Sequence, residues 1–155
     1  GARTVMNFAP ATSELSEAAL HNLDYIILNE HEANAVAKQQ RMNSDDKEAF
    51  ATSLHKKFNL TTIVTLGPDG SVCACDEGLL KVPSLKIKAV DTVGAGDAYV
   101  GYLTASLDKG LALSEALRFA AVAGSLACTR VGAQTAVPDA DEVQTYLPQI
   151  QVAPA

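Results

Sequence analysis

Tryptophan is absent from this sequence, methionine occurs twice and cysteine three times. A small, odd number of cysteines excludes a disulfide scaffold and, with no secretory leader in view, predicts a reducing, cytoplasmic setting. Cys73 and Cys75 stand two apart in an apolar stretch. No histidine or second cysteine pair completes a metal set around them, so strand packing is the expectation. Long apolar runs are also lacking. The longest with helical character, Leu111 to Cys128, is broken by Ser114, Glu115 and Arg118, which excludes a membrane span there. Basic charge is scarce: 12 Lys and Arg against 18 Asp and Glu give a net charge of −6. A nucleic-acid partner, which wants a basic face, is excluded on that ground.

What remains is a chain of 155 residues, 48% apolar and 19% charged. That is enough apolar material for a core, too little charge for a disordered tail, and a length that fits one domain, residues 1–155. The sequence opens Gly-Ala-Arg-Thr-Val-Met-Asn-Phe, with an apolar segment almost at once. This predicts a chain that begins inside a fold and exposes an apolar first edge.

Extended and helical signals alternate. Thr4–Phe8, Asp24–Leu28 and Thr61–Leu66 read as strands, the second as a short β-branched run buried on both faces. Helices are predicted from Ser16 to Asn22, Asn29 to Lys38 and Ser44 to Lys57. Gly67-Pro68-Asp69-Gly70 marks a turn into a hairpin through Ser71–Ala74, with a third short strand at Leu79–Val82. Lys86–Val90 alternates like a strand with one wet face. Asp97–Leu107 is apolar nearly all round and predicts a buried helix. Ser114–Thr129 is a helix rich in small residues, and a last helix lies near Ala140–Leu147. His21 and His55 read as surface residues. Such alternation implies a layered α/β fold with a mostly parallel sheet of four or five strands and a hairpin near residues 61–82.

The chemistry concentrates in Asp91-Thr92-Val93-Gly94-Ala95-Gly96-Asp97, at the opening of a helix. Two glycines permit a tight turn with several N–H groups aimed one way, and the helix adds its positive end. That is an anion cradle suited to phosphate. It is neither a P-loop nor a dinucleotide fingerprint, since no Gly-Lys-Ser/Thr follows and G-x-G-x-x-G fails at Tyr99. A carboxylate beside such a cradle repels phosphate. Its presence makes sense if Asp97 accepts the proton of a hydroxyl attacking that phosphate. The plainer alternative is that Asp97 is only a helix cap. Glu30-His31-Glu32, likewise, is by itself an ordinary solvated helix start.

The stretch Val90 to Gly101 closely resembles the C-terminal signature of the PfkB, or ribokinase-like, carbohydrate kinases, D-T-x-G-A-G-D. Asn29-Glu30-His31-Glu32 is similar to that family's N-x-x-E motif, and Thr65-Leu66-Gly67-Pro68-Asp69-Gly70 to its T-L-G-x-x-G turn. Asn7-Phe8-Ala9-Pro10-Ala11 and Thr129-Arg130-Val131-Gly132-Ala133-Gln134 resemble the ribose-phosphorylating branch. The resemblance covers about Arg3 to Leu147 and matches the latter half of a typical member. It implies an ATP-dependent kinase that phosphorylates a sugar hydroxyl, D-ribose before fructose or a nucleoside. Asp97 would be the base, and Gly94, Ala95 and Gly96 the anion hole. The nucleotide would meet Asn29, Thr65, Leu66, Gly67, Pro68, Asp69, Gly70 and Gly96. Magnesium would sit near Glu32 through water. Potassium would take the side chain of Asp91 and the backbone oxygens of Val93, Ala127, Arg130 and Gly132. At Ala136 the family often offers a serine hydroxyl that this chain lacks. The sugar-binding and lid half of the family has no counterpart here. Family members often form a homodimer through the lid that has no counterpart here, so the resemblance does not carry a dimer over to this chain; ATP and a sugar would be the ligands. The reading of another class is a non-catalytic nucleotide-binding fragment.

Overall fold

The computed structural model describes residues 2–155. Val5–Asn7 forms β1, Tyr25–Asn29 β2 and Thr61–Thr65 β3. They run parallel, with Val5 opposite Tyr25 and Tyr25 opposite Thr61. The centres of β2 and β3 (Ile26 to Leu28, Thr62 to Val64) are buried on both faces, which is why they read as unbroken apolar runs. Ser71–Cys75, β4, returns antiparallel to β3 with Ile63 opposite Cys73. Gly78–Val82 is β5 and Ala153–Pro154 is β6. Across the sheet the order is β1-β2-β3-β4-β5-β6, a mixed α/β sheet with the expected hairpin between 61 and 82. Cys73 and Cys75 are buried and free in β4, packed as strand residues.

Local chemistry fixes the helices. In α1 (Glu17–Leu20) the Ser16 hydroxyl accepts the Ala19 amide at 3.2 Å. In α2 (Glu30–Gln40) Asn29 is the cap. In α3 (Lys47–Phe58) Asp46 accepts the amides of Glu48 and Ala49 at 2.9 and 3.1 Å, and Asn59 ends the helix in the left-handed region. These are the residue types that satisfy orphan helix-end groups. The remaining helices are α4 (Ala95–Asp108), α5 (Leu113–Ala127) and α6 (Ala140–Tyr146).

The chain, read above as one domain, divides into two compact units: residues 2–67, 71–81 and 154–155, and residues 68–70 and 82–153. The first unit holds a core of Leu20, Ile26, Leu28, Val36, Phe50, Leu54, Phe58 and Val64. In the second, α4 lies against α5 where side chains are smallest. A Cβ on Gly124 would stand 3.3 Å from the Ala95 carbonyl oxygen and 3.4 Å from Tyr99 Cβ. The close approach expected of the small-residue helix is therefore made at Gly124. Arg118 donates to the carbonyls of Ile150 and Leu147 and pairs with Glu115, tying the segment after α6 to α5.

Four expectations are corrected. Lys86–Val90 is not a strand: the amides of Val90 and Asp91 go to the carbonyl of Cys128 at 2.8 and 3.2 Å, so that end of the stretch bonds to the close of α5 and not to a neighbouring strand. α4 is not buried all round. Ala98, Tyr99, Leu103 and Leu107 face inward, while Asp97, Gly101, Ala105 and Asp108 are exposed. His55 is not a surface residue: its ring nitrogen Nδ1 lies 2.9 Å from the Leu60 carbonyl oxygen, and only 15% of its side chain is exposed. Finally, a sixth strand exists. β6 is only two residues long, too short to show a period, and the Ala155 amide donates to Leu79 beside it.

Candidate active site

Gly94 caps α4 from the left-handed region, at φ 81°, and offers no side chain to the helix amides. The first intrahelical bond runs from Ala98 N–H to the Gly94 carbonyl, and the Ala95 amide turns to Thr92. The geometry of a helix start leaves the amides of Gly96 and Asp97 without intrahelical acceptors. The two glycines do different work. A Cβ on Gly94 would meet Ala133 Cα at 2.9 Å and its carbonyl oxygen at 3.0 Å, whereas a Cβ on Gly96 would meet nothing within 4 Å. Gly94 is demanded by the backbone; Gly96 lies where the loop stands open. With 14 residues behind it, α4 directs a partial positive charge at that opening.

Asp97 is the third residue of α4 and exposed, and its carboxylate has no hydrogen-bond or ion-pair partner among the described residues. The cap reading of Asp97 is overturned, since the cap is Gly94 three residues earlier. An unengaged carboxylate beside unengaged amides can take a proton from one group while the amides hold an anion.

Asp91 binds two loops together. One carboxylate oxygen accepts the Val93 amide at 3.0 Å and the other the Gly132 amide at 3.2 Å. Those amides hold its carboxyl below the usual carboxylate range. Gly132 lies at φ 101°. Of the candidate potassium residues, the structure thus joins Asp91, Val93 and Gly132. Ala127 closes α5 one residue before Cys128, Arg130 is exposed, and Ala136 is fully buried with a methyl group where a hydroxyl would add an oxygen. Among the described residues no group of three or more His, Cys, Asp or Glu side chains gathers as a metal site, so cation ligation near Asp91 would draw on main-chain oxygens.

In the sheet-bearing unit, Asn29 and Glu32 form a capping box. Asn29 Oδ1 accepts the Glu32 amide at 2.9 Å and Glu32 Oε2 accepts the Asn29 amide at 2.7 Å. Glu32 is buried by this arrangement. Asn29 and Thr65 are register partners at the carboxyl ends of β2 and β3, the end where open α/β sheets take ligands. The Thr65 hydroxyl donates to Leu28 at 3.4 Å and Leu66 packs on the core. Gly67, Pro68 and Asp69 form one exposed 3₁₀ turn. Gly70 fixes its exit: at φ 93°, a Cβ there would lie 2.0 Å from the Val82 carbonyl oxygen. The Ser84 hydroxyl donates to the Pro68 carbonyl.

Sequence comparison gives this geometry a family. Residues 2–140 match the profile described as pfkB family carbohydrate kinase. The chain belongs to the pfkB carbohydrate kinase family. A ribokinase of Lactococcus lactis is 33% identical over 150 residues, covering 97% of this chain and 47% of the relative. The crystal structure of ribokinase from Thermotoga maritima superposes with a TM-score of 0.88 at 31% identity, over 94% of this chain and 49% of that one. Arabidopsis thaliana ribokinase complexed with ribose and ATP gives 0.82 at 25% identity, over 94% and 47%. The chain thus has a ribokinase-like fold and spans about half the length of these relatives. Members of the pfkB family transfer phosphoryl groups to sugar hydroxyls.

Two residues that shape the site carried no sequence signal of their own: Cys128, which acts through its carbonyl, and Glu142, which pairs with Arg130. Ala133 and Arg130 lie within the Thr129–Gln134 motif; Glu142 lies outside every motif.

Proposed function

We propose that this chain is the nucleotide-binding and base-bearing part of an ATP-dependent sugar kinase that converts D-ribose to D-ribose 5-phosphate. The observation that carries the reading is the start of α4, where a side-chain-free cap and an unengaged carboxylate stand together. Asp97 accepts the proton of the attacking sugar hydroxyl. The amides from Gly94 to Gly96 stabilise charge on the transferring phosphoryl group, a task that is mostly positioning and electrostatics. Asn29 and the segment Thr65–Gly70 contact the nucleotide. Glu32, whose Oε1 is not used by the capping box, holds magnesium through water; when bound, the ion neutralises phosphate charge. Asp91 with the backbone of Val93, Ala127, Arg130 and Gly132 holds potassium, which activates. The Arabidopsis relative's ribose and ATP support ribose over fructose or a nucleoside, which the same family chemistry would also serve.

A second reading is a non-catalytic nucleotide-binding fragment, which the side-chain-free turn at Gly94 would serve without any role for Asp97. A protein carrying this chain together with the remaining half, assayed for phosphoryl transfer from ATP to D-ribose, fructose and a nucleoside, separates the readings. Turnover with ribose the best acceptor is expected. Binding of neither ATP nor any pentose overturns the kinase reading.

A further inference from the structure

The loop that follows α5 is held at both ends. At one end the Gly132 amide donates to Asp91, and the Ala133 backbone fills the space beside Gly94 that a Cβ would need. At the other, the Arg130 guanidinium donates to the Glu142 carboxylate on α6. Glu142 is itself fixed, because Asp139 Oδ1 accepts its amide at 2.8 Å to cap α6. Its side chain is one-quarter exposed and that of Arg130 two-fifths, so water only partly screens the pair. Nothing else described draws the Arg130 side chain to α6.

We infer that Glu142 is a positioning residue: through Arg130 it holds residues 130–133 against Asp91 and the Gly94 turn, and so sets the geometry of the anion cradle and of its neighbouring cation oxygens. The inference rests on the proposed function for what the loop does, but not for how it is held. On the proposed function Arg130 would then have two roles, its backbone oxygen available to the cation and its side chain anchoring the loop. Glu142→Gln keeps the size and the helix-start compatibility of the residue and removes the charge that grips Arg130.

The test is amide hydrogen exchange on the 155-residue chain, read at Gly132 and Val93, the two amides on Asp91, and at Leu103 and Ile63 as references. Glu142→Gln should raise exchange at Gly132 and Val93 by about two- to fivefold, the scale of a partly exposed ion pair, and leave the references unchanged. Glu142→Asp should restore much of the protection, as should Arg130→Glu combined with Glu142→Arg. Unchanged exchange at Gly132 in Glu142→Gln, or an equal rise at the references, overturns the inference. A parallel melt in potassium and in lithium at equal ionic strength keeps the two ideas separate. The variant should need more potassium for the same stabilisation, with the plateau unchanged. A wild-type chain indifferent to potassium would remove the cation site from the proposed function, while the exchange data would still decide the role of Glu142.

Discussion

Two helix starts in this molecule are built in opposite ways. α2 begins with Asn29 and Glu32 answering each other's amides at 2.9 and 2.7 Å, and the glutamate is buried in doing so. α4 begins with Gly94, which has no side chain, and its nearby carboxylate, Asp97, is exposed and bonded to nothing described. The first start is satisfied from within; the second leaves its amides and its carboxylate for something outside the chain. Capping contributes on the order of 1 kcal/mol to a helix. A start that forgoes it, on a glycine that only the backbone requires, supports the phosphate-binding turn proposed above.

The contrast can be broken from the α4 side first. On the proposed function, Asp97→Asn in a protein that joins this chain to the remaining half should lower turnover by about 10²-fold or more, the usual contribution of a general base, with Mg-ATP affinity retained; steady-state kinetics and calorimetry read the two together. Unchanged turnover would return Asp97 to a surface carboxylate. Gly94→Ala should come next, costing about 1–3 kcal/mol in denaturant unfolding, because φ 81° and the 2.9 Å approach to Ala133 both oppose a Cβ. Gly96→Ala, with open space around it, should leave stability nearly unchanged and weaken nucleotide binding instead. Asn29→Ala should cost about 1 kcal/mol by removing half of the capping box, measured by the same denaturant unfolding. If Asn29→Ala were neutral and Gly96→Ala destabilising, the two helix starts would have exchanged roles.

A pH effect follows from Asp91. Its carboxyl is held below the ordinary carboxylate value by the Val93 and Gly132 amides. A depressed folded-state value contributes stability above the unfolded value, about 3.9, which is lost as pH falls through the lower folded value. Protection of the Gly132 amide should therefore persist at neutral pH and fade only in that acid window.

Much of this was legible because it was local. The Asp91–Asp97 motif lies in consecutive residues, so its glycine turn into α4 could be read directly. The start of α2 near Asn29 was also readable, but its reading as a solvated helix start is overturned at Glu32, which the capping box with Asn29 buries. The sheet's buried strands announced themselves as apolar runs at Tyr25–Asn29 and Thr61–Thr65. What was not legible is tertiary. Lys86–Val90 has a strand's alternation, yet its last amide bonds to Cys128, a partner 38 positions away that no period encodes. α4 reads as apolar throughout because the exposed side of the helix carries Gly101 and Ala105, small residues that tolerate water as well as burial. The Asp91–Gly132 bond spans 41 residues, so the motif showed the cradle but not the second loop that braces it. His55 reads as polar, and its mostly buried setting depends on a carbonyl beyond the end of its own helix.

The account turns on the open amides at the start of α4. The most direct test is a titration of the 155-residue chain with Mg-ATP, followed by amide chemical shifts. Saturable shifts at Gly96 and Asp97, larger than those of exposed surface amides, are the expected result. A folded chain whose Gly96 and Asp97 amides do not respond at any ATP concentration, or respond no more than exposed surface amides, would contradict the claim.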